Sequence, residues 1–259
     1  MTTKIADFAQ ELFHAEENRK EISPLTERDP SLTVEDAYQI QLETVKLKNE
    51  KGKTVIGKKV GLTSVAMQKM LNVDEPDYGH LFDDMKIESG STIDTAEMIA
   101  PRVEAEIGFM LNEDLVGPHV TYLDVLLATE YVVPTLEIID SRIADWKIKL
   151  IDTVADNGSS AKVVIGDRKT TPENTDLRTA GMALYKNDEL MATGSGAAAL
   201  GHPAEAIAWL ANKLHEYGIT LKKGELILPG ALSAAMNVEA GNYVKADFGP
   251  LGSVSVTFK

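Results

Sequence analysis

The chain of 259 residues contains no cysteine. Disulfide bonds, thiolate nucleophiles and cysteine-ligated zinc sites are therefore excluded, and a reducing, cytoplasmic setting is favoured because disulfides form mainly in oxidising compartments. The sequence also lacks an apolar run near the roughly 18 residues that a membrane-spanning helix needs. No secretory signal is visible, because Lys4, Asp7, Glu11 and Glu16 interrupt the apolar pattern of the N-terminus. We therefore expect an intracellular protein with no membrane partner.

Basic residues are scarce relative to acidic ones. Lys and Arg together number 26 against 40 Asp and Glu, which gives a formal net charge of -14 at pH 7. Such a charge repels phosphate backbones and anionic lipid, and no cluster of Lys or Arg in the sequence offsets it. The composition therefore argues against a nucleic-acid partner.

The N-terminal part of the sequence has a helical pattern and the rest is richer in strand patterns. Residues 3–20 and the segment from Thr33 to about Lys51 carry apolar residues at helical spacing, and Thr33 with Asp36 forms a capping-box-like start. We predict a helical hairpin over residues 1–53 that packs as a cap on a β-rich body over residues 54–259, within a single catalytic domain. The predicted class is α+β.

Three connecting segments are predicted from their composition. A short helix is expected to begin at Thr63 or Ser64 and to carry Met67, Met70 and Leu71. Residues 74–85 are interpreted as an apolar but acidic loop that covers a site, and residues 141–160 as a long polar functional loop.

The stretch from residue 101 to 110 alternates apolar residues with two glutamates. Side chains on a strand alternate between its faces, so Glu104 and Glu106 share the face opposite Val103, Ala105, Ile107 and Phe109. The two glutamates lie roughly 6.5 to 7 Å apart at the backbone, close enough to bind one cation. A solvated acidic face is the ordinary explanation of such a pair, so the metal hypothesis needs a third ligand.

Glu137 is the candidate third ligand. It lies inside residues 131–140, whose apolar density predicts a buried strand. A buried carboxylate needs a cation or a proton, so Glu137 is expected either to pair with Arg142 or Arg102 or to bind a metal. Three carboxylates without cysteine or a convergent histidine pattern suit Mg²⁺ or Mn²⁺, which favours the metal.

Two adjacent lysines, Lys58 and Lys59, lie in an otherwise apolar predicted strand over residues 54–62. Adjacent side chains point to opposite faces, so both can reach water only from an edge strand. One of the two is therefore a candidate buried amine. Burial lowers the pKa of a lysine and can bring proton transfer near neutral pH, unless anionic partners raise the pKa again.

Six motifs follow one another along the chain, namely GKKVGLTS (57–64), EPDYG (75–79), PRVEAE (101–106), LEIIDSR (136–142), VADN (154–157) and LGHP (200–203). In this order they resemble the 2-keto-4-pentenoate hydratase and 4-oxalocrotonate decarboxylase family, which is related to the fumarylacetoacetate hydrolases. The resemblance covers essentially the whole chain, including the N-terminal helices.

The resemblance implies a rolled, mixed β-structure with a divalent metal held by Glu104, Glu106 and Glu137. It identifies Lys59 as the active-site amine and makes Lys58 the outward lysine. It also implies a homo-oligomer, commonly pentamers paired into decamers. Hydratases and decarboxylases of the family associate, so a complex between this chain and the other enzyme of the pair is a further expectation.

The activity implied by the resemblance is that of a hydratase in the breakdown of aromatic compounds. Such an enzyme adds water to 2-hydroxy-2,4-dienoates, or to their 2-keto tautomers, and gives 4-hydroxy-2-ketoacids. Lys59 is then the expected proton shuttle, and Asp77 orients the lysine or the water. The substrate-binding candidates, each also an ordinary turn residue, are Asp156, Asn157, Ser160 and Ser233.

Two alternatives stay open. A 4-oxalocrotonate decarboxylase would use the same residues, because loss of CO₂ from a vinylogous β-keto acid leaves a similar dienolate. Residues 141–142, 145–146 and 152–154 resemble the hydratases, whereas residues 194–198 and 232–235 resemble the decarboxylases, and we favour the hydratase. A catalytically silent partner subunit is the second alternative, and the retention of Lys59 and the three glutamates argues against it.

Overall fold

The chain begins with helices and continues mainly with strands, and the computed structural model describes residues 2–64, 68–69, 73 and 75–259. Within them the helices are α1 (Thr2–Asn18), α2 (Leu25–Arg28), α3 (Val34–Glu50), α4 (Tyr122–Leu127), α5 (Leu150–Ala155) and α6 (Pro203–His215). None of the helices in this part of the chain combines the length and apolar character that a membrane span requires. The strands are β1 (Val55–Gly61), β2 (Asp77–Phe82), β3 (Lys86–Glu88), β4 (Thr92–Ile93), β5 (Arg102–Leu111), β6 (Thr129–Ile139), β7 (Ser160–Ile165), β8 (Gly181–Lys186), β9 (Glu189–Ser195), β10 (Leu226–Leu228), β11 (Met236–Asn237), β12 (Tyr243–Asp247) and β13 (Ser253–Phe258).

The strands form two mixed sheets. The larger is an 8-stranded sheet with the order β2-β1-β10-β5-β6-β7-β3, in which β11 also pairs with β5. The smaller is a 5-stranded sheet with the order β4-β13-β12-β8-β9. Parallel pairs occur between β1 and β10, between β3 and β7 and between β4 and β13, and the other neighbours are antiparallel. The predicted α+β class with mixed β-structure is confirmed, and β5 and β6 lie inside the larger sheet.

The predicted N-terminal helical hairpin is present as α1 and α3. Thr33 caps α3, because its hydroxyl accepts a hydrogen bond from the Asp36 N–H while the Asp36 carboxylate accepts one from the Thr33 N–H. This is the predicted capping box. The connection between the two helices contains α2, a turn of helix that the sequence analysis did not predict.

The N-terminal helices pack directly on the strands. Tyr38 of α3 stacks on Tyr78 of β2 with ring centroids 4.6 Å apart. Gln41, on the next turn of α3, donates hydrogen bonds to the backbone carbonyls of Tyr78 and Val154 at 2.9 and 2.8 Å. Leu12 of α1 belongs to the same buried hydrophobic cluster as Tyr38 and Tyr78. The helices therefore share a core with the strand body.

The prediction that residues 74–85 form a covering loop is wrong for residues 77–82. These residues form β2, which pairs antiparallel with β1 and is buried along its whole length. The acidic composition of residues 74–85 suggested a solvated loop, but carboxylates of this segment bind groups far away in sequence. For example, Asp83 accepts a hydrogen bond from the Thr54 hydroxyl at 2.7 Å. The predicted short helix with Met67, Met70 and Leu71 lies outside the described residues.

The segment from residue 141 to 160 is more regular than the predicted loop. It contains a 3-10 turn at Ala144–Trp146, helix α5 and a second 3-10 turn at Asn157–Ser159. The carboxylate of Asp152 in α5 accepts hydrogen bonds from the N–H and the hydroxyl of Thr26 at 3.0 and 2.8 Å. Polar residues in this segment therefore make tertiary contacts, which composition alone does not distinguish from solvation.

Arg142 is a buried cation that fixes the end of this segment. Its Nε donates to Asp156 Oδ1 at 2.6 Å, and its Nη1 donates to the backbone carbonyls of Asp140 and Ser160 at 2.9 and 3.1 Å. Its Nη2 donates to the backbone carbonyl of Asp156. Burial raises the pKa of Asp156, and the neighbouring Arg142 opposes that rise.

We expect the Arg142→Met variant to lose about 3 to 5 kcal/mol in the free energy of unfolding, because removing one partner of a buried ion pair leaves the other charge unpaired. Denaturant titration followed by circular dichroism measures this loss. Lys147→Met is the matched control, since Lys147 forms an exposed ion pair with Asp145 at 2.8 Å and such pairs contribute little. Equal losses in the two variants would contradict the structural role of Arg142.

Candidate active site

The register of the sheet brings three glutamates together. β5 and β6 pair antiparallel with Glu104 directly opposite Glu137, and Glu106 lies two residues further along β5 on the same face. Ligand oxygens of the three carboxylates lie within 4.8 Å of one another. Glu106 and Glu137 are 0% exposed, whereas Glu104 is half-buried. The alternative of a solvated acidic face is therefore wrong.

This concentration of buried carboxylates is unfavourable without a cation. Burial raises the pKa of Glu106, and its neighbours Glu137 and Glu104 raise it further. Burial also raises the pKa of Glu104, to about 7, although Lys59 opposes the rise. Gly230 donates its N–H to Glu106 Oε2 at 2.8 Å. Within the described part of the chain, Glu106 Oε1 and both carboxylate oxygens of Glu137 have no hydrogen-bond partner.

The carboxylate cluster fits a divalent metal ion. Carboxylate oxygens are hard ligands of the kind that Mg²⁺ and Mn²⁺ prefer. Buried oxygens without donors, as on Glu106 and Glu137, are destabilising alone and would be satisfied by a bound cation. The assignment of Glu104, Glu106 and Glu137 as metal ligands stays a prediction, and the structure supplies the convergence that it requires.

The two arginines proposed as ion-pair partners of Glu137 do not pair with it. Among the described residues the ionic partner of Glu137 is Lys59, whose Nζ lies 3.7 Å from Glu137 Oε2. Arg142 pairs with Asp156. The guanidinium of Arg102 lies over the ring of Trp146, 4.1 Å from its centroid. The two arginines were candidates because they are close to Glu137 in sequence or in the predicted strands. The partner is Lys59 of β1 instead, because β10 lies between β1 and β5 and so brings β1 near the glutamates.

Lys59 is the buried amine of the site and is 4% exposed. Burial lowers the pKa of Lys59, but the carboxylates of Glu137 and Asp77 outweigh this effect and hold the pKa above its ordinary value. The side chain is therefore an ammonium group surrounded by acids. A raised pKa makes this ammonium group a weak acid, and a cation bound by the glutamates would oppose their effect and favour release of the proton to a bound molecule.

Lys58 is not the outward lysine that the resemblance implied, because it is only 3% exposed. Its Nζ pairs with both carboxylate oxygens of Glu225 at 2.7 and 2.8 Å. Burial lowers the pKa of Lys58, and Glu225 opposes that shift. The strand β1 has β2 on one side and β10 on the other, and both of its faces are covered, so neither lysine reaches water.

Gly61 makes room for Asp77 beside Lys59. Asp77 lies opposite Gly61 in the ladder between β1 and β2. A Cβ atom at residue 61 would lie 2.1 Å from Asp77 Oδ1 and 3.3 Å from Lys59 Nζ, so a larger residue would displace the Asp77 carboxylate from its place beside Lys59. A role for Gly61 was not predicted from the sequence, although a glycine within a strand often marks a close approach of another group. Burial raises the pKa of Asp77 while Lys59 opposes the rise.

Asp156 and Asn157, two of the predicted substrate-binding residues, use their side chains within the protein. The carboxylate of Asp156 is engaged by Arg142. The amide of Asn157 accepts a hydrogen bond from the His80 N–H at 2.7 Å and donates one to the His80 carbonyl at 2.9 Å. Their contacts give no support for direct substrate binding.

The turn that contains Asn157 packs against Lys59. Gly158 has a φ of +59°, in the left-handed region that favours glycine. A Cβ atom there would lie 2.9 Å from Lys59 Cε and 3.0 Å from Lys59 Nζ. Asn157 therefore affects the site by holding this turn on Lys59.

Ser160 and Ser233, the other two candidates, have buried hydroxyl groups, and the hydroxyl of Ser160 favours the charged form of Glu137 by lowering its pKa. The Oγ atoms of both are buried, and neither has a hydrogen-bond partner among residues 2–64, 68–69, 73 and 75–259. Ser160 lies opposite Ile139 of β6, two residues beyond Glu137. Ser233 follows Leu232, whose N–H donates to the carbonyl of Ala105 in β5 at 3.0 Å. Substrate binding by these hydroxyls stays a prediction.

Proteins of known activity resemble this chain along nearly its whole length. A 2-hydroxyhexa-2,4-dienoate hydratase of Comamonas testosteroni is 48% identical over 251 residues, covering 96% of this chain and 95% of the relative. A 2-keto-4-pentenoate hydratase of Paraburkholderia xenovorans (strain LB400) is 45% identical over 251 residues, covering 97% and 93%. The solved structure of 4-oxalocrotonate decarboxylase from Pseudomonas putida G7, complexed with magnesium and adipate, has a TM-score of 0.98 and 38% identity, covering 100% of this chain and 98% of that one.

The family comparison covers the whole strand body. The fumarylacetoacetate (FAA) hydrolase C-terminal family matches residues 49–259, which include Lys59, Asp77 and the three glutamates. The resemblance inferred from the six motifs is thereby confirmed. This chain belongs to the fumarylacetoacetate hydrolase family, in the group that includes 2-keto-4-pentenoate hydratases and 4-oxalocrotonate decarboxylases.

Proposed function

We propose that this chain is a divalent-metal-dependent hydratase of 2-hydroxy-2,4-dienoates and gives 4-hydroxy-2-ketoacids. The observation that carries the proposal is the convergence of Glu104, Glu106 and Glu137 with the ammonium group of Lys59 beside them. The family membership and the named hydratases among the relatives support it.

In this proposal Glu104, Glu106 and Glu137 hold one Mg²⁺ or Mn²⁺ ion. When bound, the ion supplies a Lewis acid that polarises the keto group and stabilises negative charge on the dienolate. Glu106 Oε1 and Glu137 Oε1 support this role, because among the described residues they accept no hydrogen bond and a cation would satisfy them.

Lys59 moves the protons in the proposed reaction. Its ammonium group donates a proton to C5 while the 2-hydroxyl group releases its proton to solvent, which yields a conjugated 2-keto-3-enoate and the neutral amine of Lys59. The amine then takes one proton from a water molecule whose oxygen bonds to C4, and C3 takes up one proton from solvent, so that one water is added in total and Lys59 ends as an ammonium group. Asp77, which shares the space beside Gly61 with Lys59, orients the ammonium group or the water.

A 4-oxalocrotonate decarboxylase is the second candidate, because the decarboxylase structure superposes on the full length of the chain. The same carboxylate cluster and Lys59 would serve that reaction. We favour hydration because the two named hydratases are more similar in sequence than this decarboxylase is. We also propose a cytoplasmic homo-oligomer, a pentamer or a decamer, which could associate with a decarboxylase.

The two activities separate in one experiment with Mg²⁺ present. With 2-hydroxypenta-2,4-dienoate we expect loss of the diene absorbance, and with 4-oxalocrotonate we expect no release of CO₂. Release of CO₂ from the second compound would overturn the preference for hydration. No reaction with either compound, together with no binding of Mg²⁺ or Mn²⁺ in a calorimetric titration, would favour the catalytically silent subunit.

A further inference from the structure

Arg102 lies in line with the carboxylate cluster and has no part in the reaction proposed so far. Alternate residues of a strand share a face, so Arg102, Glu104 and Glu106 follow one another along one face of β5. Exposure increases along this row, because Glu106 is buried while Glu104 and Arg102 are half-buried. Arg102 therefore stands at the more open end of the cluster.

The guanidinium group of Arg102 is held in place by an aromatic ring. Its Cζ lies 4.1 Å from the centroid of the Trp146 ring. The indole N–H of Trp146 donates to the carbonyl of Ala100 at 3.0 Å, which fixes the ring. Trp146 and the preceding Asp145 have φ values of 55° and 56°, in the left-handed region that such residues rarely adopt. Stacking orients the guanidinium and leaves its edge free to donate hydrogen bonds.

Arg102 has an unused donor. Its Nε is buried and has no hydrogen-bond partner in the described part of the chain. Among the described residues no carboxylate forms an ion pair with its guanidinium, and Glu104, the next residue on the same face, acts on it only at longer range. A buried charged donor without an acceptor is unfavourable, and an anionic ligand would satisfy it.

Arg102 and Lys59 are two cations beside the carboxylate cluster that come from different strands, and the ammonium group of Lys59 lies 3.7 Å from Glu137 Oε2. Lys59 pairs with Leu228 of β10, and the adjacent Ile227 pairs with Phe109 of β5. This register places the backbone of Lys59 near the far end of β5 from Arg102, and its ammonium group reaches back to Glu137. If Lys59 protonates C5 and the keto group lies at the carboxylate cluster, the C1 carboxylate lies at the end of the molecule away from Lys59, where Arg102 offers a second positive charge.

We propose that Arg102 binds the C1 carboxylate of the 2-hydroxydienoate and thereby sets the direction in which the substrate lies across the carboxylate cluster. The planar guanidinium matches a carboxylate with two parallel hydrogen bonds. A cation at this position also draws an anion into a protein of net charge -14. The identity of the substrate rests on the proposed function, whereas recognition of a 2-ketocarboxylate by Arg102 can be measured without turnover.

The test is a calorimetric titration with pyruvate in saturating Mg²⁺, because pyruvate has the carboxylate and keto groups but no diene to hydrate. We expect Arg102→Gln to bind pyruvate about 10- to 100-fold more weakly, the usual effect of losing hydrogen bonds to a charged group. Arg102→Lys should lose less, since it keeps the charge without the planar fork. The affinity of Arg102→Gln for Mg²⁺ without pyruvate should differ from that of the unchanged protein by less than about 3-fold, which is close to the uncertainty of comparing two variants.

Two further variants separate stacking and net charge from direct binding. Trp146→Leu removes the ring while Arg102 keeps its charge, and we expect a smaller loss of pyruvate affinity. Arg19→Gln is the matched control, because Arg19 is an exposed arginine near the end of α1 and its loss changes the net charge equally. Arg19→Gln should bind pyruvate as the unchanged protein does. Thermal unfolding of each variant verifies that it folds.

Several outcomes would overturn the role of Arg102. These are undiminished pyruvate binding in Arg102→Gln, no pyruvate binding to the unchanged protein, or equal losses of pyruvate and Mg²⁺ affinity. Weaker binding of adipate with unchanged pyruvate binding would assign Arg102 to a second carboxylate and also contradict the proposal. If Arg102→Gln loses pyruvate affinity but the unchanged protein hydrates no dienoate, only the proposed function is contradicted and the role of Arg102 stands. With active protein, KM for the dienoate should rise more than kcat falls.

Discussion

The Lys59→Met variant is expected to lose roughly 100- to 10,000-fold in turnover of 2-hydroxypenta-2,4-dienoate, the range that a positioned acid–base group contributes. Lys59 lies among four acids, and their charges hold its pKa above its ordinary value despite burial. Methionine fills a similar volume but carries no proton to donate. Absorbance of the diene, followed at saturating substrate and Mg²⁺, measures the loss.

Metal binding should survive the same substitution. Lys59 Nζ lies 3.7 Å from Glu137 Oε2, so its removal takes a positive charge away from the carboxylate cluster. The cluster then attracts a divalent cation at least as strongly as before. Calorimetric titration with Mg²⁺ therefore distinguishes a lost proton shuttle from a damaged metal site. Turnover within a few fold of the unchanged protein would exclude Lys59 from proton transfer.

Lys58→Met is the matched control for Lys59→Met. Lys58 is the adjacent residue of β1, is equally buried and pairs with Glu225 on the opposite face of the strand. Its substitution should lower the melting temperature, because Glu225 loses its partner. The turnover of the folded fraction should stay close to that of the unchanged protein. A large loss of turnover in both variants would indicate disruption of β1 and not of proton transfer.

The Glu106→Gln variant is expected to bind Mg²⁺ or Mn²⁺ at least about 100-fold more weakly, because even residues that only support metal ligands contribute 10- to 100-fold. The amide is nearly the same size as the carboxylate, and its oxygen can still accept the hydrogen bond from Gly230. Glu106 is 0% exposed and crowded by Glu104 and Glu137. Neutralising it should therefore leave the metal-free protein at least as stable as before.

The metal affinity is expected to fall, whereas the stability of the metal-free protein is expected to stay the same or rise. A loss of both would therefore indicate general damage to the fold. Titration calorimetry measures the metal affinity, and thermal unfolding with and without Mg²⁺ measures stability. Glu130→Gln is the matched control, because Glu130 is an exposed residue of the neighbouring strand β6. It should change neither quantity. Unchanged metal affinity in Glu106→Gln would contradict the assignment of Glu106 as a ligand.

Much of the carboxylate cluster could be predicted from local periodicity. The period of a strand places Glu104 and Glu106 on one face, and the apolar neighbours of Glu137 show that it is buried. The capping box at Thr33 was predictable for the same reason, since it depends on residues three apart. Such features follow from short-range backbone geometry, which the order of residues determines directly.

The errors concern contacts between distant segments. Lys58 was expected to face outward, but its partner Glu225 is separated from it by most of the chain. Residues 77–82 were expected in a loop because their pairing with β1 leaves no local signal in their composition. The carboxylate of Asp156 is engaged by Arg142, which no local pattern indicated, and its expected contact with substrate stays a prediction. Composition shows that a group is polar but not which group satisfies it.

The sequence by itself therefore determined the α+β class, the family, the shared face of Glu104 and Glu106, and the burial of Glu137. Only the tertiary structure decided that Glu104 lies opposite Glu137, that Lys59 joins them, and that Arg102 stacks on Trp146. The physical reason is that a strand imposes its period on its own residues, whereas sheet order and register set which strands become neighbours.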